Sequence, residues 1–233
     1  MIYYGFDIWY FILVLPAVLF ALIASGAVKA AYKKYAKVFS ASGMTGAEMA
    51  ERVLSQNGVF GVRIEPVSGE LTDHFDPKSN VIRLSEGVYG SKSIAALGIA
   101  AHEAGHAVQY AENYGPMKLR AAIIPATNIG SNLAMPLILL GLILSFPTLA
   151  YIGVFAFGLS TLFQLVTLPV EFNASHRAVR ALQESRRLSE TEISGTKKVL
   201  TAAAMTYVAA LAVSLANLLR LYLIVSGGRG RRR

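Results

Sequence analysis

Five consecutive residues, His102-Glu103-Ala104-Gly105-His106, have the types and spacing to do chemistry. They spell H-E-x-x-H, the pattern with which one helix holds zinc for peptide hydrolysis. Residues four apart on an α-helix share a face, one turn above the other. Two imidazoles so placed can grip a single ion at Zn–N distances of about 2.0–2.1 Å. Glu103 lies roughly 100° around the helix from His102. Its carboxylate is placed to reach a metal-bound water rather than the metal. A water whose pKa is drawn toward about 7, next to a carboxylate base, is the machinery of peptide hydrolysis. The setting is apolar, with the run Ser93-Ile94-Ala95-Ala96-Leu97-Gly98-Ile99-Ala100-Ala101 before the motif and Ala107-Val108 after it. Ionisable groups inside such a segment are costly unless paired or metal-bound. The motif also takes two of the chain's four histidines.

A catalytic zinc site needs a third protein ligand and one open position. Glu171 is the leading candidate, since it is the first carboxylate after a long uncharged stretch, where such groups tend to be functional. His176 is its chief rival and would complete a three-histidine site. His74, within Thr72-Asp73-His74-Phe75-Asp76-Pro77, is another. Thiolate ligands are excluded, because the chain has no cysteine.

The elements that must carry these groups follow from composition. Of 233 residues, 54% are hydrophobic and 15% charged, against about 25% charged in ordinary soluble domains. Residues 8–28 and 121–170 carry no charge at all. The first stretch suits one membrane span of about 20 residues and the second suits two. Ser145-Phe146-Pro147-Thr148 is the natural turn between those two, and residues 199–219 supply a fourth span. The expected fold is mainly α, a four-helix transmembrane bundle with a small zincin-like α/β domain carrying the H-E-x-x-H helix. The expected division is a first span in 1–31, the α/β domain in 32–120, and spans in 121–146 and 148–170. A loop or helix in 171–198 supplies the third ligand, a last span follows in 199–226, and 227–233 form a basic tail. No cleaved signal is expected at the N-terminus, which lacks a basic leading region.

The net charge of +8 does not point to nucleic acid. Eleven Lys and Arg fall in 29–120, six in 171–198 and five from Arg220 onward, with none in 1–28 or 121–170. Basic residues beside helix ends read as topology signals. They place 29–120 and 171–198, and so the active site, on the cytoplasmic face of a multi-pass protein of the plasma membrane. The arginines of the tail oppose that orientation but are outnumbered.

Within 32–120, Thr45-Gly46-Ala47-Glu48 reads as a capping box opening a helix that Asn57-Gly58 ends. Ala50, Val53 and Leu54 form its buried stripe. Val62-Arg63-Ile64-Glu65 and Val81-Ile82-Arg83-Leu84-Ser85 alternate like strands. The second, just before the H-E-x-x-H helix, offers either a free edge for an extended substrate or a hairpin covering the helix. Asn128, Ser131 and Asn132 form a polar stripe expected to face the bundle interior.

The pairing of H-E-x-x-H with a later glutamate resembles the gluzincin peptidases. Two membrane helices between the motifs resemble the HtpX and CAAX-prenyl protease type. There the third ligand opens an E-x-x-A-D segment, which Glu171-Phe172-Asn173-Ala174-Ser175 matches except at Ser175. The chain more closely resembles the bacterial YugP-type neutral zinc metallopeptidases. That resemblance is carried by Leu71-Thr72-Asp73-His74-Phe75-Asp76-Pro77, Val81-Ile82-Arg83-Leu84-Ser85, Ala101-His102-Glu103-Ala104-Gly105-His106-Ala107-Val108-Gln109 and Val170-Glu171-Phe172-Asn173-Ala174-Ser175. It implies a membrane-embedded zinc peptidase.

The resulting expectation is Zn²⁺ on His102, His106 and Glu171, with Glu103 as general base. His74, His176, Arg177 and Arg180 are candidates to steady the oxyanion, and Gln109 and Tyr110 to support the metal ligands. Expected partners are a membrane-associated peptide or protein substrate and the lipid bilayer, without nucleic acid. A second copy of the chain or a membrane partner protein remains open. The competing expectation is a non-enzymatic membrane scaffold, in which a fourth ligand closes the zinc site.

Overall fold

The computed structural model describes residues 7–230. The first residues of the expected N-terminal span and the last three of the basic tail lie outside the described residues. Helices dominate: α1 (Leu15–Tyr35), continuing a π-helical turn at Tyr10–Val14, then α2 (Gly46–Gln56), α3 (Glu86–Tyr89), α4 (Ile94–Ala111), α5 (Gly115–Ile143), α6 (Pro147–Glu184) and α7 (Glu190–Gly230). Three strands complete the chain: β1 (Arg63–Val67), β2 (His74–Asp76) and β3 (Val81–Ser85). Among the described residues, four helical segments are long and apolar enough to cross a membrane: Tyr10–Tyr35, Gly115–Ile143, Pro147–Glu184 and Glu190–Gly227. The mainly α fold with a small α/β part is as the sequence predicts.

The chain divides into two compact units. One comprises Ser25–Lys118 and Pro169–Met205 and carries the sheet and the H-E-x-x-H helix. Its helix α2 opens with the expected capping box, in which Thr45 Oγ1 accepts from Glu48 N (3.3 Å) while Glu48 Oε2 accepts from Thr45 N (2.8 Å). Two orphan N–H groups of the first turn are thereby satisfied. Met49, Ala50, Val53 and Leu54 face inward. Helix α4 starts at Ser93, whose hydroxyl accepts from Ala96 N (3.2 Å). It is buried along most of its length, from Ile94 to Gln109. Alanine and glycine make that burial possible, because short side chains let neighbouring helices come close. A Cβ on Gly98 would sit 2.5 Å from Thr196 Cγ2 of α7, inside van der Waals contact.

The sheet corrects one expectation. Its order is β1-β3-β2, with β1 parallel and β2 antiparallel to β3. The strand that precedes the H-E-x-x-H helix in sequence, β3, is therefore central and has no free edge, while its antiparallel pairing with β2 across residues 77–80 forms the hairpin that was the other expectation. The burial of β3 explains this, since Val81, Ile82, Leu84 and Ser85 are all buried. A strand buried on both faces belongs in the middle of a sheet. The edges fall to β1 and to the short β2.

The other unit comprises Met1–Ala24, Leu119–Leu168 and Thr206–Arg233. Its core gathers Ile138, Ala150, Val154, Leu221 and Val225. Helix α5 ends at Ile143 and α6 begins at Pro147, as the Ser145–Thr148 turn predicts. Ser131 bonds Ser160, and Thr161 bonds Ser214 at 2.8 Å, so hydroxyls stitch helices together. The polar stripe does not face inward as a whole. Asn128 and Asn132 are exposed, because the buried face of α5 belongs to Thr127, Gly130, Ala134, Ile138 and Gly141. Arg220 has its charge met by Asp7, with Nη2 and Nε 2.6 and 2.8 Å from Oδ2.

Two helices outrun the sequence-based expectation. Helix α6 continues through Pro169 to Glu184, and α7 begins at Glu190 rather than near 199. Of the loop or helix expected in 171–198, Glu171 therefore sits within a helix. The polar residues beyond 170 extend the apolar span as helix, although Pro169 has no N–H to donate to the preceding turn.

The turn between β2 and β3 hinges on Asp76. Its carboxylate accepts from Ser79 Oγ (2.6 Å), Lys78 N (3.0 Å) and Arg83 Nη1 (3.3 Å). These donors, Ser79 first, hold Asp76 below the usual carboxylate range, at about 2. A depressed folded-state pKa stabilises above the unfolded value of about 3.9 and is lost as pH falls through the folded one. Asp76→Asn should lower the melting temperature at neutral pH, and the gap to wild type should close as pH drops from about 4 to about 2. Thermal melts across that range check this. A gap that does not depend on pH would show that the turn is held by other contacts.

Candidate metal centre

Helix α4 presents His102 and His106 one turn apart, with ring centroids 4.7 Å apart and ring planes at 84°. Helix α6 brings Glu171 against them. Its Oε2 lies 3.4 Å from His102 Nε2 and 3.5 Å from His106 Nε2. One ligand atom from each of the three residues falls within 4.8 Å of the others. A tetrahedral ion about 2.0–2.1 Å from each donor requires donors roughly 3.4 Å apart. The observed carboxylate–imidazole spacings meet that requirement, and two nitrogens with one oxygen form a donor set that zinc accepts.

The electrostatics point the same way. Glu171 is 2% exposed, a carboxylate almost wholly removed from water. Burial works against a charged His106, yet the carboxylates of Glu171 and Glu103 hold its imidazole above the ordinary range. A pocket that raises an imidazole despite burial favours a cation. Glu103 is itself buried on α4. Burial pushes the nearby Asp73 carboxyl up, and the charge of Glu103 adds to the push. Hydrogen bonds from Ser85 N (2.7 Å) and Ser85 Oγ (3.1 Å) oppose it.

The crossing of α4 and α6 depends on Gly105. A Cβ there would lie 3.0 Å from the carbonyl oxygen of Ala174 and 3.4 Å from its Cα. Any side chain at 105 would push α6 outward, and Glu171 sits less than one turn from Ala174.

Behind the ligands lies a polar support. Ser175 Oγ is 3.1 Å from His102 Nδ1. Gln109 Oε1 is 3.0 Å from His106 Nδ1, and its Nε2 donates to Val170 O (2.8 Å) and to Asn173 Oδ1 (2.9 Å). Gln109 thus takes the expected supporting place. Tyr110 does not, since it is exposed and its ring packs beside Phe75 of β2 at 5.9 Å.

The other candidates stand apart from the cluster. His74 is exposed, with Nδ1 2.8 Å from Thr72 O. His176 is exposed and borders a groove of about 280 Å³ between α6 and α7, with Phe172, Lys197 and Leu200. Arg177 is committed, with Nη2 2.7 Å from Glu112 Oε2 and Nε 2.8 Å from Asn173 Oδ1. Arg180 pairs with Glu184 at 2.8 Å on the surface. Among the described residues, the group able to hold an ion consists of His102, His106 and Glu171. Sequence reading passed over Asn173 and Ser175 as supports. Their signal was their spacing from Glu171, two and four residues along one helix.

Gly105→Ala should cost about 1–3 kcal/mol of stability through overpacking and weaken metal uptake by displacing Glu171. Melting curves with and without zinc read both effects. Unchanged curves would show that the crossing has slack.

Comparison with known proteins agrees with this geometry. Residues 10–226 match a family described as "Putative neutral zinc metallopeptidase". The chain is also similar to "Putative membrane protease YugP" of Bacillus subtilis (strain 168), 48% identical over 202 residues, or 87% of this chain and 90% of the relative. No solved structure matches. Both helices of the cluster, with His102, His106 and Glu171, lie inside the matched range, and the chain belongs to this neutral zinc metallopeptidase family.

Proposed function

We propose that the chain is an integral membrane zinc metalloendopeptidase that hydrolyses peptide bonds of membrane or membrane-proximal proteins. One observation carries the reading. A buried carboxylate from a distant helix meets both imidazoles of H-E-x-x-H at 3.4 and 3.5 Å. His102, His106 and Glu171 would hold the ion. Zinc so held supplies a Lewis acid that acidifies water and polarises the scissile carbonyl.

Glu103 is the general base. Its carboxylate takes the proton from the attacking water as the new C–O bond forms, then passes it to the amide nitrogen as the C–N bond breaks. The burial of Glu103 shields this transfer from bulk solvent. An extended substrate pairs with a sheet edge by main-chain hydrogen bonds. The free edge of β2 suits that task, since β2 packs beside α4 through Phe75 and Tyr110.

The scaffold reading needs a fourth protein ligand, and neither His74 nor His176 joins the cluster. The buried Glu103, which a purely structural site does not need, also favours catalysis. The distribution of Lys and Arg supports a multi-pass protein of the plasma membrane with this site on the cytoplasmic face.

Proteolysis of casein by the detergent-solubilised chain, with metal content measured in parallel, tests the assignment. Glu103→Gln should retain zinc and lose about 10²–10⁴-fold in rate, the scale of general-base catalysis. Glu171→Ala should lose zinc and activity together, because metal ligands set metal affinity. Normal zinc binding and cleavage by Glu171→Ala would sink the ligand assignment.

A further inference from the structure

We infer that Gln109 is a positioning residue for His106: it forces the tautomer that leaves Nε2 free for the metal. The inference rests on the zinc-peptidase reading and goes beyond it by assigning a proton. Gln109 is wholly buried, so each end of its amide must find a protein partner. Its Nε2 faces two oxygens, Val170 O at 2.8 Å and Asn173 Oδ1 at 2.9 Å. A backbone carbonyl can only accept. Asn173 Oδ1 also receives Arg177 Nε at 2.8 Å, and a guanidinium only donates, so this atom is an oxygen. The amide of Gln109 therefore has one possible orientation. Turned over, its oxygen would face two oxygens.

The consequence passes to the ring. Gln109 Oε1, 3.0 Å from His106 Nδ1, can only accept, so Nδ1 carries the hydrogen. The lone pair of the neutral ring then lies on Nε2, the nitrogen turned toward Glu171 Oε2. The order propagates inward from the Arg177–Glu112 ion pair through Asn173 and Gln109. His102 has no such lock, because the hydroxyl of Ser175 can donate or accept. Through Val170 O the same amide also ties α4 to the backbone one residue before Glu171.

The test uses the full chain in detergent, with zinc affinity measured by chelator competition. Gln109→Met should weaken zinc binding about 10–100-fold, the usual effect of losing a support to a metal-bound histidine. In the zinc-loaded wild type, the His106 Nδ1–H should give a sharp downfield proton signal that broadens away in Gln109→Met. Unchanged affinity in Gln109→Met would overturn the inference. So would a downfield Nδ1–H signal that stays sharp in Gln109→Met, which would assign Gln109 to packing of α6 instead. A wild-type chain that takes up no zinc would overturn the peptidase reading, and this inference with it.

Discussion

A carboxylate held almost out of water is the constraint around which this protein is organised. Glu171 sits on a helix, 2% exposed, with two imidazoles for company. An isolated buried carboxylate is expensive enough that most would take up a proton or move to solvent. Here neither imidazole can turn away without losing its support, and α6 cannot retreat from α4 without opening a gap at Gly105 and Ala174. The arrangement becomes favourable once positive charge enters among the three groups. The helices, the glycine and the supports all keep that demand in place.

Much of the surrounding unit follows from it. Helix α4 must pass close to α6 on one side and α7 on another, so its sequence is rich in alanine and has glycines where the Ala174 backbone and the Thr196 side chain press against it. With so few large side chains of its own, α4 depends on neighbours for apolar cover. Met49, Val53 and Leu54 of α2, Ile82 and Leu84 of β3, and Leu182 of α6 belong to the core that surrounds it. The sheet is small because its task is narrow. It covers α4 and leaves the short β2 at an edge beside the H-E-x-x-H helix.

How far the sequence could reveal this depended on the range of each interaction. The capping box at Thr45 and Glu48, the turn at Pro147 and the alternation in Val81–Ser85 are local, and each appears where the residues predict. The H-E-x-x-H helix was legible because its histidines recur at helical spacing. Glu171 was legible because a first carboxylate after fifty uncharged residues is conspicuous. What stayed hidden was non-local. The sheet order depends on which strand is buried on both faces, which alternation over five residues does not record. The outward aim of Asn128 and Asn132 depends on which face of α5 its neighbours occupy. The engagement of Arg177 by Glu112 joins α6 to the residue that caps the end of α4, and nothing near either one in the chain announces it.

The supports of the two histidines differ from the E-x-x-A-D pattern in a way that charge explains. Glu103 and Glu171 are both buried, so the centre already holds two negative charges where water is scarce. A divalent cation held on neutral imidazoles would balance those two. A third carboxylate behind His102, where the E-x-x-A-D pattern has its aspartate, would leave one charge uncompensated in a medium that screens poorly. Ser175 stands there instead, and behind His106 stand the neutral amides of Gln109 and Asn173. The nearby acid outside this set behaves accordingly, for burial and the charge of Glu103 push Asp73 toward its neutral form. Glu112, the acid at the outer end of the relay, is balanced by Arg177 before it can act on the centre. The supports can therefore orient both rings without adding to the charge that the ion must offset.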